Sequence, residues 1–408
     1  MSELAAELTI GERVRILRER RGMSRAVLAG LVGRSVVWLR KVETGERGLH
    51  SLPMIVRLAR ALHLADLSEL TGDTMSAPVD SWGRVSHPSV TSLRDAIHAP
   101  LFGRPLALPE SVEVLSGRVA QAWHTWHMSP MNRTETGAAL PGLLSACQAL
   151  VRRSEGEERR RAHVVLASAY GLAQMFAAHT TEPELYWLCV DRARNSAQES
   201  DDPARLAMAA WVMANGLSAS GHYEECVRVL EDAADSLRPM LESGTDDLRG
   251  VYGSVCLKAA VTHAQDGQEG NAWHWWDEAS KTARLMPGYS HPETAFGSGN
   301  TAVHAVTMGV ELKTPGAALK KAEETDPGGI PSLERRSRLY VDAARSQWAR
   351  KESSGALHYL STAFEMSPEC VRYVPPARAL AAELALKATG TLKAEAVALA
   401  EAVGVTAA

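Results

Sequence analysis

An all-α fold, with a small five-helix head followed by a long array of helical hairpins, is what this sequence predicts. Three observations carry that expectation. Apolar residues recur at helical spacing over most of the 408 residues, and no run in the long second part alternates as a half-buried strand would. Residues that start helices (Ser, Asp, Pro) and residues that stop them (Gly) punctuate those runs. Four segments, GHYEECVRVLEDAA, GQEGNAWHWWDEAS, KTPGAALKKAEETD and KESSGALHYLSTAF, also repeat one pattern. Each places a small residue five positions after its start, at Cys226, Ala272, Ala318 and Ala356.

Length and composition set the frame. A chain of 408 residues holds two or three domains on the usual prior, and 45% hydrophobic with 23% charged residues is ordinary for a globular protein. No segment approaches the ~18 uninterrupted apolar residues a membrane helix needs. The start, MSELAAELTIGERVR, has no apolar signal core. Cys147, Cys189, Cys226, Cys256 and Cys370 lie far apart and form no CxxC, so they read as core thiols in a reducing compartment. A cytoplasmic protein without a membrane partner is expected.

The head carries the sharpest signal. Residues Ser24 to Gly45, SRAVLAGLVGRSVVWLRKVETG, imply two short amphipathic helices with a glycine at the joint. Ser24 and Ser35 can each take an orphan amide at a helix start. Leu28, Ala29 and Val32 turn inward from the first helix, and Leu39 and Val42 from the second. Ala29 is small enough for a tight crossing, and Gly33 tolerates the positive φ of such a turn. Ser35, Val36, Val37, Arg40 and Lys41 are left outward on the second helix, where base edges in a major groove would be met.

These residues resemble the lambda repressor/Cro type of helix-turn-helix, the XRE family. The likeness spans about residues 10–72: an opening IGERVRILRERRGMS, then LAGLVG, then SVVWLRKVETG, then a further helix ending ALHL. It implies a five-helix DNA-binding domain over 1–72 in which Glu43 pairs with Arg18. Two positions depart from the pattern. Arg25 stands where the family usually has Gln, which favours a phosphate contact, and Arg34 stands where it usually has a buried aliphatic. On this reading Arg25, Arg34 and Arg47 fix position through phosphates. Ser35, Val36, Val37, Arg40 and Lys41 read bases, the valines by touching thymine methyls.

Charge agrees. Residues 11–60 hold 12 Lys+Arg against 4 Asp+Glu, while the whole chain is at −4. A basic head on an acidic body suits a phosphate-binding module, because counterion release drives such affinity.

Residues 73–109 are rich in Pro, Ser and Gly, with one short helix near Ser89–His98, and read as a linker. Beyond it, residues 110–408 form the body, with helices expected over 110–128, 137–153, 157–179, 183–199, 203–220, 223–241, 245–265, 270–285, 293–311, 315–325, 331–350, 353–366 and 372–388. Its repeats resemble the tetratricopeptide (TPR) type, most faithfully at Tyr340, Ala343, Ala344, Ala356, Leu360, Ala363 and Pro368. An α-solenoid with a concave groove follows. In that register Trp211, Asn215, Asn300, Arg338 and Arg345 face the groove: an amide to hold a peptide backbone, and two arginines able to fork onto a carboxylate. His291, Thr294, Asn300 and His304, in the Pro- and Gly-broken run HPETAFGSGNTAVH, either line a pocket or belong to a rigid connector.

Other constellations are bland. His124 and His127 lie at i, i+3 with no third ligand at helical spacing, so packing is expected and no metal. In the AWHWW run, Trp276 is core by register. Acid–base pairs, G-x-S-x-G and GxxxxGK[ST] are absent, so neither an enzyme nor a cofactor is expected.

An XRE head on a TPR-like body resembles the RRNPP group of regulators. That likeness implies a sequence-specific transcription regulator, a homodimer on double-stranded operator DNA, whose body senses a peptide or small-molecule effector. The alternative is a body that serves as a protein-interaction or dimerisation scaffold with no small effector.

Overall fold

The structure, a computed structural model, describes residues 8–49, 52–64, 67–72, 86–98, 110–178, 180 and 183–405. All described elements are helical, as the sequence predicts, and the chain divides into two units: residues 1–83 with 374–408, and residues 84–373. The linker residues 73–85 and 99–109 lie outside the described part.

The head is built from α1 (Ile10–Arg20), α2 (Arg25–Leu31), α3 (Val36–Glu43), α4 (Leu52–Ala61) and α5 (Ser68–Thr71). A capping box opens α1: the Thr9 hydroxyl accepts from the Glu12 amide, and the Glu12 carboxylate accepts from the Thr9 amide. Ser24 and Ser35 cap α2 and α3, accepting from the amides of Val27 and Trp38. Leu28, Ala29, Val32, Leu39 and Val42 are all buried, in one cluster with Val14, Leu58, Leu62 and Leu70. Gly11 lets α1 lie directly on α3, for a Cβ there would stand 2.0 Å from the Val42 carbonyl oxygen.

The body begins with α6 (Val90–Ile97), α7 (Val112–Met128), α8 (Asn132–Arg153), α9 (Gly156–Ala177), α10 (Pro183–Ser200), α11 (Pro203–Ser220) and α12 (Tyr223–Leu237). It continues with α13 (Asp246–Gln265), α14 (Glu269–Arg284), α15 (Ser298–Glu311), α16 (Pro315–Glu324), α17 (Leu333–Ala349), α18 (Ser353–Met366) and α19 (Pro368–Arg372). From α7 onward successive helices pack as hairpins, and the odd-numbered helices α7, α9, α11, α13, α15 and α17 also pack on one another in a row. The ends of that row, α7 and α17, touch as well, so it curls on itself and forms the inner layer of a solenoid-like body. The repeat positions Cys226, Ala272, Ala318 and Ala356 are fully buried, which is why they must be small: each lies where its outer helix meets the inner layer.

Several boundaries differ from expectation. The helix expected over 293–311 starts only at Ser298, after a folded-back connector over 290–297. The last expected helix, 372–388, starts three residues late, and short helices not expected from the sequence flank it. Pro375 and Pro376 occupy the first turn of α20 (Pro375–Lys387), where amides would have no helical partner; α19 precedes it and α21 (Leu392–Val403) follows. Both belong to the unit of the head, where Ala379 of α20 joins the buried cluster of α1–α5. Trp275 is the buried member of the tryptophan run, while Trp276 is half-buried and donates to the Thr301 carbonyl.

Candidate nucleic-acid interface and the inner face of the body

The outer face of α3 is set by the burial of its opposite side. With Leu39 and Val42 turned into the core, Ser35, Val36, Val37, Arg40 and Lys41 are exposed, Val36 at 45% and Val37 at 58%. Two adjacent valines are thus left exposed on a short helix. Gly33, at φ +65°, makes the turn between α2 and α3. Arg47 is exposed just beyond α3, its amide closing the helix end onto the Lys41 carbonyl.

Beneath this face lies a buried ion pair. Arg18 Nε and Nη2 donate to both carboxylate oxygens of Glu43 at 2.6 and 3.1 Å, the pairing implied by the family likeness. Arg18 Nη1 also donates to the Met23 carbonyl. Arg25 joins the pair, its Nε 2.7 Å from Glu43 Oε2. Burial works to raise the Glu43 pKa, but the hydrogen bonds and charges of Arg18 and Arg25 outweigh it and hold the carboxyl below its usual range. Arg25 therefore does two things: Nε anchors the start of α2, while its terminal nitrogens, on a side chain 40% exposed, have no partner among the described residues. Arg34 is half-buried, with its guanidinium 5.5 Å from the centre of the Trp38 ring.

On the inner face of the body, the connector over 290–297 is a packed element, which decides the open reading of His291 and Thr294. Phe296 is fully buried where Gly253 has no side chain, and His291 packs on Gly250. Thr294 Oγ1 bonds Ser254 Oγ of α13, and Glu293 pairs with Arg205 of α11 and accepts from Ser168 of α9. The Glu293 carbonyl faces His127 Nε2 at 3.2 Å, so one short segment ties four inner helices together.

The sequence-expected groove residues divide. Trp211 is buried in the core. Asn215 is half-buried, and its Nδ2 has no hydrogen-bond partner among the described residues. Asn300 is buried, donating from Nδ2 to the Thr294 carbonyl while Oδ1 stays unpartnered. His304 is half-buried, with Nδ1 on the Asn300 carbonyl, and burial together with Arg335, Arg338 and Lys258 pushes its pKa down to about 3. Arg345 is already engaged, donating to Asp342 at 2.9 Å and to Glu311 at 3.1 Å, so the expected two-arginine fork does not stand ready. Arg338 alone of the two keeps its guanidinium without a hydrogen bond or ion pair among the described residues. Sequence reasoning missed Lys258, a half-buried cation on α13 whose pKa is lowered by burial first and by Arg338 and Arg335 after it, against Cys226 and Glu311. Its only signal was position, one turn after Ser254 within the mostly small and apolar middle of α13.

No helix among the described residues is long and apolar enough to cross a membrane, and no group of three His, Cys, Asp or Glu there is placed to hold a metal. Residues 9–70 match the family model of the helix-turn-helix domain. No curated protein matches the chain. Among solved structures, the chain is similar to ComR from S. thermophilus, in complex with DNA and its signalling peptide ComS. The two share 15% identity over 69% of this chain and 95% of that one, at a TM-score of 0.25. The chain thus carries a helix-turn-helix domain at its N-terminus, followed by a helical body.

Proposed function

We propose that this chain is a DNA-binding transcription regulator that reads sequence with α3. One observation carries the reading: a capped short helix, buried through Leu39 and Val42, turns Ser35, Val36, Val37, Arg40 and Lys41 outward on the most basic stretch of the chain. In this reading Arg25, Arg34 and Arg47 hold phosphates flanking the groove. A homodimer in the cytoplasm sets two such helices in successive major grooves, ~34 Å apart. The body is a TPR-like array whose inner face takes a small effector. A ligand there moves operator affinity only by its differential affinity for two states of the body.

The test is retention of pooled genomic fragments by the full-length protein at low salt, followed by sequencing of what is retained. Enrichment of a common site supports the reading, and binding of no fragment above background overturns it. A scaffold body with no small effector is the second reading. The packed connector over 290–297 favours it in part, because that segment fills inner-face space a long peptide would need.

A further inference from the structure

Three neighbouring inner helices, α13, α15 and α17, carry their polar residues in matching tiers. In the first tier Ser254 bonds Thr294, Asn300 bonds the Thr294 carbonyl, and Glu334 lies beside Arg335 at 3.3 Å. One turn further along each helix come Lys258, His304 and Arg338. About a turn beyond on α15 and α17, Thr307 donates to Asp342, and Arg345 binds both Asp342 and Glu311. The third tier is satisfied, and in the first Asn300 Oδ1 and Glu334 Oε2 lack hydrogen bonds among the described residues. The middle tier holds two cations with no hydrogen bond or ion pair among the described residues, and both are half-buried. Of the nearby carboxylates, Glu311 and Asp342 sit on Arg345, while Glu334 lies 3.3 Å from Arg335 and also acts on Arg338 through its charge. Two neighbouring half-buried like charges with no direct ion pair of their own oppose folding through desolvation and repulsion, which Glu334 and Glu311 offset only without contact.

We propose that Lys258 and Arg338, with the neutral His304 between them, form a binding site for a small anion, a carboxylate or phosphate group, on the inner face of the body. Arg338 offers a planar fork and Lys258 a point charge, the pair that recognises such groups in water-poor settings. The tier lies between the Ser254–Thr294 bond on one side and the Arg345 network on the other, about one helical turn each way, so the ligand proposed is a compact anionic group. The proposal deepens the effector reading and rests on it only for what the anion would regulate.

The experiment is thermal unfolding and titration calorimetry of the full-length chain with inorganic phosphate and, separately, with citrate, at ionic strength matched by chloride. Wild type, Lys258→Met, Arg338→Met and the exposed control Lys320→Met are compared. A saturable rise in melting temperature is expected for wild type and Lys320→Met. A rise with phosphate alone assigns a phosphate ligand, and a rise with citrate alone a carboxylate. Lys258→Met and Arg338→Met should each weaken binding about tenfold or more, as loss of a charge-assisted hydrogen bond implies. In chloride alone Lys258→Met should melt at or above wild type, because an unpaired charge has been removed. Absence of any rise in wild type, an undiminished rise in the variants, or a Lys258→Met variant that melts lower in chloride overturns the proposal. DNA retention measured on the same samples separates this from the head: its loss in wild type would count against the regulator reading alone.

Discussion

His127 Nδ1 lies 3.0 Å from the hydroxyl of Ser332, joining the C-terminal end of α7 to the start of α17 across 205 residues of chain. With Nε2 donating to the Glu293 carbonyl, Nδ1 accepts from Ser332, which fixes a neutral imidazole with its proton on Nε2. Burial first, then Arg335, pushes the His127 pKa down to about 4.

The pH dependence of the body follows. A histidine whose folded pKa lies below its unfolded value near 6.5 contributes stability above that value, and loses it as pH falls toward the folded pKa. The unfolded chain takes up the proton first. Denaturant unfolding should therefore show the body losing up to roughly 3 kcal/mol between about pH 6.5 and 4 through this one group. His127→Gln should flatten the profile in that window while lowering stability at pH 7.5. An unchanged profile in His127→Gln would remove His127 from the account.

Glu43 anchors the head from below α3, and its two arginines are unequal. Arg18 is nearly fully buried, whereas the Arg25 side chain is 40% exposed. Removing the shared carboxylate strands a buried guanidinium, so Glu43→Ala should cost the head about 3–5 kcal/mol. Arg25→Ala leaves the Arg18 pair intact and removes only a screened contact, so about 1 kcal/mol or less is expected. Hydrogen exchange of the buried α1–α3 amides would measure both, and equal losses would contradict the assigned roles.

On DNA, Arg40 and Arg47 should behave differently although both are exposed cations. Arg40→Ala should cost about 1–3 kcal/mol and relax preference at one base pair. Arg47→Ala should weaken all duplexes alike and lower the salt slope by roughly 0.9 per lost phosphate contact. Titrations of a selected site and a scrambled duplex over a range of salt distinguish the two, and identical behaviour would reassign Arg40 to the backbone.

The head was legible because its constraints are local. Ser24, Gly33 and Ser35 mark helix ends within a few residues, and a 3.6-residue period then fixes which side of α3 faces out. The inner face of the body was legible only as a register. Periodicity placed Asn300, Arg338 and Arg345 on it, yet whether an arginine there is free depends on partners tens of residues away, such as Glu311 for Arg345. Lys258 was hidden for the converse reason: a lone lysine on a helix reads as solvated until its neighbours prove to be Arg338 and His304. The connector over 290–297 was half-readable, since its Pro and Gly announced a break but not that Phe296 would fill the gap at Gly253.

Nothing in the local pattern of α20 announces that it completes the head, yet Ala379 is 3% exposed within the same buried cluster as Leu28, Leu58 and Leu70. Leu386 packs on that cluster from the same helix, and α21 is held to α20 by Arg378 Nη1 donating to the Val403 carbonyl. The head's core is therefore closed by residues more than 300 positions later in the chain, and its stability depends on both ends of the body's covalent path. A charge at Ala379 would have to be buried unpaired or drive α20 off the head. Ala379→Glu should lower head stability by about 2–4 kcal/mol, while Ala394→Glu, at an exposed position of α21, should change little. Hydrogen exchange of the α1–α3 amides reads the effect directly: faster exchange in Ala379→Glu alone is expected, and equal protection in both variants would mean that α20 contributes nothing to holding the head together.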